Sequence, residues 1–169
     1  MISIVDADWT REAPRRFWDP GRKLLCAIRK YQLYKQKKGV IAFSLSKVSV
    51  VQHLFWSTVS GADIPINCKL GGGLLIPHPN GIVIHPDAEI GVNCLIHQQC
   101  TIGVKRGSSA PPRIGGHVDI GAGAKIIGNI CIGNDVLVGA NAVVVNNVEA
   151  EMVVAGIPAK VIGNTRQGC

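Results

Sequence analysis

From Ile84 an aliphatic residue recurs at every sixth position, at Ile90, Ile96 and Ile102. After a gap of twice that length the step resumes through Ile114, Ile120, Ile126, Ile132, Val138 and Val144. An earlier set, Ile64, Leu70, Ile76 and Ile82, keeps the step but runs two residues out of phase. Such a step matches neither the period of a helix nor that of a plain alternating strand. It does match a short strand followed by a corner. Glycine often follows the aliphatic residue (Gly91, Gly103, Gly115, Gly121, Gly133, Gly139), and the corners hold Asn93, Gly123, Asn134, Asp135 and Asn141. These residue types adopt positive φ at low cost. Three units would make one turn of a triangular coil with the aliphatic residues inside. One unit cannot bury its own apolar side, so the stack of coils is the stable object.

The composition suits a narrow core: 20 glycines, five per cent aromatic residues and 47% hydrophobic residues in 169. Cys68, Cys94 and Cys100 each fall four places after a repeat aliphatic, in the slot that Ala124 also fills. Cysteine there packs as a small hydrophobe, so these read as structural thiols rather than metal or redox groups. None of the six cysteines forms a CxxC pair, and the start, MISIVDADWTREAPRRFWD, has no apolar core of a secretory leader. Reduced thiols in the cytoplasm are expected. Val40 to Ile66 is the most apolar stretch, but Lys47, Gln52, His53 and Asp63 interrupt it. On the criterion of an unbroken apolar run, no membrane span is expected.

Residues 1–60 hold 11 of the 18 Lys and Arg and only four acids, whereas residues 61–169 hold seven of each sign. A basic segment attracts phosphate-rich ligands, nucleic acid or anionic lipid; its plain reading is a solvated helix face. After the break at Pro20-Gly21, Leu24, Leu25, Ile28, Tyr31, Leu33 and Tyr34 have helical spacing, and Val40 to Val59 is a second, more apolar helix. The expected organisation is a basic helical cap over 1–60, a mainly β coil over 61–163 and a short tail over 164–169. One loop, about 103–113 (GVKRGSSAPPR), is thrown out between repeats and is a common place for function on a rigid scaffold.

Within GGGLLIPHPNGIVIHPDAEIG, His78 stands between two prolines, before Asn80-Gly81. HPNGIVIHPDAEIG, IGAGAKIIGNICIGNDVLVGANAVV and the ending VVAGIPAKVIG resemble the serine acetyltransferase group of the hexapeptide-repeat acyltransferases. The resemblance runs from about Asp63 to Gly163. It implies a left-handed parallel β-helix, a homotrimer with the site between subunits, and acetyl-CoA as acyl donor, with no metal. The family's general base is a histidine before Gly-Ile-Val-Ile, which His78 matches, and Asp63 stands at the family's spacing for the carboxylate that orients it. The chemistry agrees. Acyl transfer from a thioester to a hydroxyl needs a base that works near neutral pH, and a carboxylate on the other ring nitrogen holds the tautomer. By the same resemblance Gly103, Ala122 and Ala140 lie on the pantetheine path. Lys160 is a candidate for the CoA phosphates, and Lys105 and Arg106 in the loop are further candidates whose plain reading is solvated charge.

The departures concern the acceptor. The family carries an aspartate just before the base, where this chain has Pro77. It also carries an Arg-His pair in the loop, where this chain has Ala110-Pro111-Pro112-Arg113-Ile114. A site lacking both should bind free serine poorly. The short form with a basic helical cap looks more like acetyltransferases of exopolysaccharide assembly, which implies a sugar hydroxyl as acceptor, with L-serine second and an amino-sugar amine as a further acceptor. The basic N-terminus would then meet an anionic membrane face. Two other classes fit a β-helix: a γ-type carbonic anhydrase, which would use a zinc with histidines such as His85, His97 and His117, and a non-catalytic trimeric spacer. His97 is also a candidate to line the acceptor site of a neighbouring subunit. No motif suggests nucleic-acid binding.

Overall fold

The computed structural model describes residues 2–107 and 110–166. Two helices come first, α1 (Pro20–Lys35) and α2 (Val40–Ser60). Pro20 opens α1, where its missing N–H is no loss. Gly61 ends α2 in the left-handed region at φ +66°, its N–H donating to the Ser57 carbonyl. The six-residue step then resolves into strands of two or three residues. The first coil contributes a bridge at Asp63, β1 (Lys69–Leu70) and a bridge at Leu75. The second is β2 (Val83–Ile84), β3 (Glu89–Ile90) and β4 (Leu95–Ile96). The third is β5 (Thr101–Gly103), β6 (Arg113–Ile114) and β7 (Asp119–Ile120). The fourth is β8 (Lys125–Ile127), β9 (Cys131–Ile132) and β10 (Leu137–Val138). The last holds β11 (Val143–Val144), a bridge at Val148 and β12 (Met152–Gly156), which pairs antiparallel with β13 (Ala159–Asn164).

Every rung pairs parallel with the rung above it, giving three faces. Face I runs from Asp63 through β2, β5 and β8 to β11; face II from β1 through β3 and β6 to β9; face III from Leu75 through β4, β7 and β10 to β12. The repeat aliphatics point inward, and Ile64, Ile84, Ile96, Ile102, Ile120 and Ile126 are fully buried. Burying such a side chain contributes about 1.5–3 kcal/mol. Cys68, Cys94, Cys100 and Ala124 are buried among them. Burial pushes the Cys68 and Cys94 thiols up to about 11 and raises Cys100 as well, as the structural reading requires.

The register explains the phase slip. Asp63 pairs with Val83, Lys69 with Glu89 and Leu75 with Leu95, whereas later rungs such as Arg113 and Cys131 follow at the regular three-unit interval. The only stretch common to the three long intervals is Leu75 to Val83, so the corner around His78 holds two residues more than its counterparts. A second, longer excursion separates β5 from β6 and is the expected loop; Ser108 and Ser109 in it lie outside the described residues.

The helices cover the first coil. Leu24, Leu25 and Ile28 of α1 are fully buried against the repeat core, and Gly21 lies so close that an added Cβ would sit 2.6 Å from the Ile76 carbonyl oxygen. Two features differ from the sequence expectation. Residues 2–19, before the helices of the expected cap, hold no helix and run through turns and bends as a strap along the coil. Helix α2 is long and apolar enough, by length and composition, to cross a membrane, because the scattered polar residues lower its mean hydropathy only slightly. Its inward side carries Ala42 and Ser49, while Val40, Ile41, Phe43, Val51 and Leu54 face outward.

Candidate active site

The corner between faces III and I is where the repeat is broken by insertion, and it carries His78. Where other rungs pass from face III to face I with one tight turn, Pro77-His78-Pro79-Asn80 adds a short excursion before Gly81 turns the chain at φ +70°. Proline on both sides of His78 removes two backbone donors from a segment that has no rung to pair with. The Gly81 N–H donates to the Gly61 carbonyl at 2.8 Å, so the His78 corner abuts the end of α2. Gly61 has no room for a side chain: an added Cβ would meet the Asn80 amide nitrogen at 2.6 Å. Two residues further on, Asp63 starts face I, its N–H donating to the Ile82 carbonyl at 2.8 Å and its carbonyl accepting from Ile84 at 3.0 Å.

The fold therefore carries Asp63 and His78 on adjoining backbone at the top of the same edge. Both residues are exposed, and among the described residues no hydrogen bond joins the carboxylate to the imidazole. Ala122 and Ala140 occupy the same III–I corner in the rungs below, and the Ala122 carbonyl accepts from the Asn141 N–H at 2.8 Å. At roughly 4.8 Å per rung, the three rungs from the His78 corner to the Ala140 corner span about 14 Å. Gly103 ends β5 on face I, one rung below His85 and toward the I–II corner. It differs from most glycines that follow a repeat aliphatic. A Cβ at Gly91 or Gly121 would press into the next rung at 2.4 and 2.6 Å, whereas one at Gly103 would meet nothing closer than 3.8 Å. Lys160 lies apart, exposed on β13 in register with Ala155 at the far end of face III. Lys105 and Arg106 are exposed in the loop after β5.

Gln98 is a residue that sequence reasoning passed over. It sits at the III–I corner in the rung below His78, and its Oε1 is buried without a hydrogen-bond partner among the described residues. Its neighbour Gln99 turns the chain at φ +62° and donates from Nε2 to the Asn80 Oδ1 at 3.3 Å. The paired glutamines of IHQQC at a corner were the available signal.

The other histidines are dispersed. His85 follows β2 at the I–II corner and accepts the Asp87 N–H on Nδ1 at 3.2 Å; His97 follows β4 at the III–I corner; His117 turns the II–III corner at φ +55°, 2.5 Å from Asp135 Oδ1. Among the described residues no three His, Cys, Asp or Glu side chains of this chain are grouped to hold a metal. A cleft of about 700 Å³ is lined by His117, Asp119, Asp135, Leu137, Glu151 and Arg166. It lies toward corner II–III, away from His78, whose own edge is open in a single chain.

Taken together, a β-helix with a histidine corner inserted at the top of one edge and small residues below it defines an acyltransferase-type scaffold of hexapeptide repeats. No protein-family model matches the chain. It is 38% identical over 146 residues to a serine acetyltransferase of Synechococcus elongatus, across 85% of this chain and 57% of that protein. It is 35% identical over 162 residues to one of Helicobacter pylori, across 91% of each. The serine acetyltransferase of Brucella abortus strain S19, solved in complex with coenzyme A, superposes with a TM-score of 0.74 at 32% identity, over 87% of this chain and 57% of that one. The chain belongs to the serine acetyltransferase family. It spans little more than half the length of the Synechococcus and Brucella proteins and nearly all of the Helicobacter one.

Proposed function

We propose that this chain transfers an acetyl group from acetyl-CoA to a hydroxyl, with His78 as general base and Asp63 as the carboxylate that holds it. The observation that carries the reading is the two-residue insertion at the III–I corner, which takes His78 out of the repeat on a segment whose Gly81 bonds Gly61, two residues before Asp63. A scaffold corner has no need of it, since the lower rungs turn without one. Gly103, assigned by resemblance to the donor path, lies across face I from this edge, and no neighbouring backbone demands a glycine there. Ala122 and Ala140 keep side-chain bulk off the corner, and Lys160 at the far end suits a phosphate. His78 would take the acceptor proton as its oxygen attacks the thioester carbonyl, and the thiol of CoA would leave with the proton that His78 returns. Asp63 would accept the other ring N–H and stabilise the imidazolium. The subunit arrangement we propose is a trimer, in which a neighbour completes the open edge.

For the acceptor, the named relatives favour L-serine over the sugar expected from the sequence. A sugar hydroxyl stands as a second reading on one specific observation: Pro77 replaces a carboxylate and the loop lacks the Arg-His pair, so neither charge for a free amino acid is in place. The test is CoA release from acetyl-CoA with L-serine and with nucleotide- or lipid-linked sugars. His78→Ala should lower kcat by about 100-fold or more while leaving the fold intact. Turnover with L-serine identifies that acceptor, and turnover with sugars alone identifies the second. Full activity in His78→Ala would remove the assigned base.

A further inference from the structure

Helix α2 is amphipathic in the wrong sense for a soluble protein. Its inward side is mostly small and polar, with Trp56 packed against the core. Ser49, Ser57 and Ser60 donate to the carbonyls of Leu45, Ala62 and Ser57, and His53 Nε2 lies 2.8 Å from the Ile64 carbonyl oxygen. Its outward side is mainly apolar. Val40 and Ile41 are 82% and 77% exposed, and Phe43, Val48, Val51, Leu54 and Phe55 are exposed with them. Apolar patches of this kind on a protein surface mark something that covers them.

The charges around the face say what that is. Arg15 and Arg16 precede the exposed Phe17 and Trp18, and the Trp18 ring meets Trp56 of α2 edge-on at 5.8 Å. Lys35, Lys37 and Lys38 lie at the other end, just before Val40, and Lys47 sits over the Phe43 ring within the face. The acids of the same region that form ion pairs are turned to other cations: Glu12 pairs with Arg29 and Asp19 with Arg22. No carboxylate among the described residues pairs with Arg15, Arg16, Lys37, Lys38 or Lys47. Two copies joined through this face would bring two uncompensated basic borders together. An anionic lipid surface accepts both the apolar face and the borders, and aromatic rings beside basic residues suit its interfacial layer.

We propose that α2 lies in the plane of an anionic membrane surface, with its apolar face among the acyl chains and Arg15, Arg16, Lys37, Lys38 and Lys47 at the headgroups. It lies on the surface rather than through it, because α1 packs against it and the bonds of His53 and Ser57 to the Ile64 and Ala62 carbonyls hold its C-terminal part at the first coil. This inference stands apart from the acetyl-transfer reading and does not depend on the acceptor.

The test is sedimentation of the full chain with vesicles of phosphatidylcholine alone or mixed with phosphatidylglycerol. The wild type should bind the mixed vesicles and be released by alkaline carbonate. The triple variant Ile41→Gln, Val51→Gln, Leu54→Gln changes outward side chains only and should lose vesicle binding. Lys37→Glu with Lys38→Glu should weaken it about tenfold or more. Equal binding by the triple variant, or no preference for the anionic vesicles, would overturn the proposal. Resistance to carbonate would replace it by a membrane span. A wild type that ignores vesicles but halves its particle mass in the triple variant would assign the face to a second copy.

Discussion

Asp119 is half-buried on face III beside the cleft that holds His117. Burial pushes its carboxyl pKa up; the charges of His117, Arg11 and His97 pull it down and are outweighed. A carboxyl with a raised folded pKa holds its proton more tightly in the native state than in the unfolded chain. Its contribution to stability is full below the unfolded value of 3.8 and is lost as the pH rises through the folded value. At pH 7 the charged side chain therefore opposes folding. Asp119→Asn keeps the shape and removes the charge, so thermal unfolding at pH 7 should move up by about 1–3 °C. The gap between variant and wild type should close as the pH falls below 3.8, the ordinary value for this side chain. A variant that melts lower at pH 7 would mean that the basic neighbours of Asp119 outweigh burial.

Two glycines that look alike in the sequence separate at the level of the rung. Gly91 ends a face II strand, and an added Cβ would lie 2.4 Å from the Gly115 backbone, so the coil itself excludes a side chain. Gly91→Ala should cost about 1–3 kcal/mol or more and lower Tm by roughly 3–10 °C. Gly103, with open space around it, should accept alanine with Tm nearly unchanged while KM for acetyl-CoA rises several-fold; an unchanged KM would take Gly103 off the donor path. The aliphatic step foretold the rungs because each Ile or Val reports one inward position. The two-residue phase slip between Ile82 and Ile84 foretold the insertion, although its attachment to the His78 corner needed the pairing of Asp63 with Val83. Asp63 and His78 are candidates through their spacing and resemblance, but nothing in the spacing foretold that both side chains would be exposed and unjoined. The orientation of α2 was illegible for a different reason. Apolar content predicts a helix, and the rule that apolar residues face inward fails where Ala42 and Ser49 do the packing.

The whole molecule is a stack open at both ends and closed in two ways. At the far end β13 folds back antiparallel on β12, beyond the last rung of face III. At the near end α1 covers the first coil, and the strap ties the helices to the coils. Arg29 of α1 donates to both Glu12 carboxylate oxygens at 3.0 and 3.1 Å and to the Leu70 and Gly71 carbonyls. Arg11 donates to the Gly73 and Asn93 carbonyls. The strap had no periodicity by which to be read, and its anchor is a corner residue of the second coil. Asn93 is fully buried at φ +59°; its Nδ2 donates to the Ser3 and Asp6 carbonyls at 2.7 and 2.8 Å, and its Oδ1 accepts from the Asp8 N–H at 2.8 Å. Alanine there would lose all three part-buried bonds and would lack the polar side chain with which asparagine tolerates the left-handed region. Each of these two effects costs about 1–3 kcal/mol. Asn93→Ala should therefore lower Tm by roughly 5–15 °C. Hydrogen exchange should show the Asp8 amide losing protection before the amides of β7 and β10, because the strap detaches while the stack of rungs stays paired. Loss of protection everywhere at once would mean that strap and coil unfold as one unit.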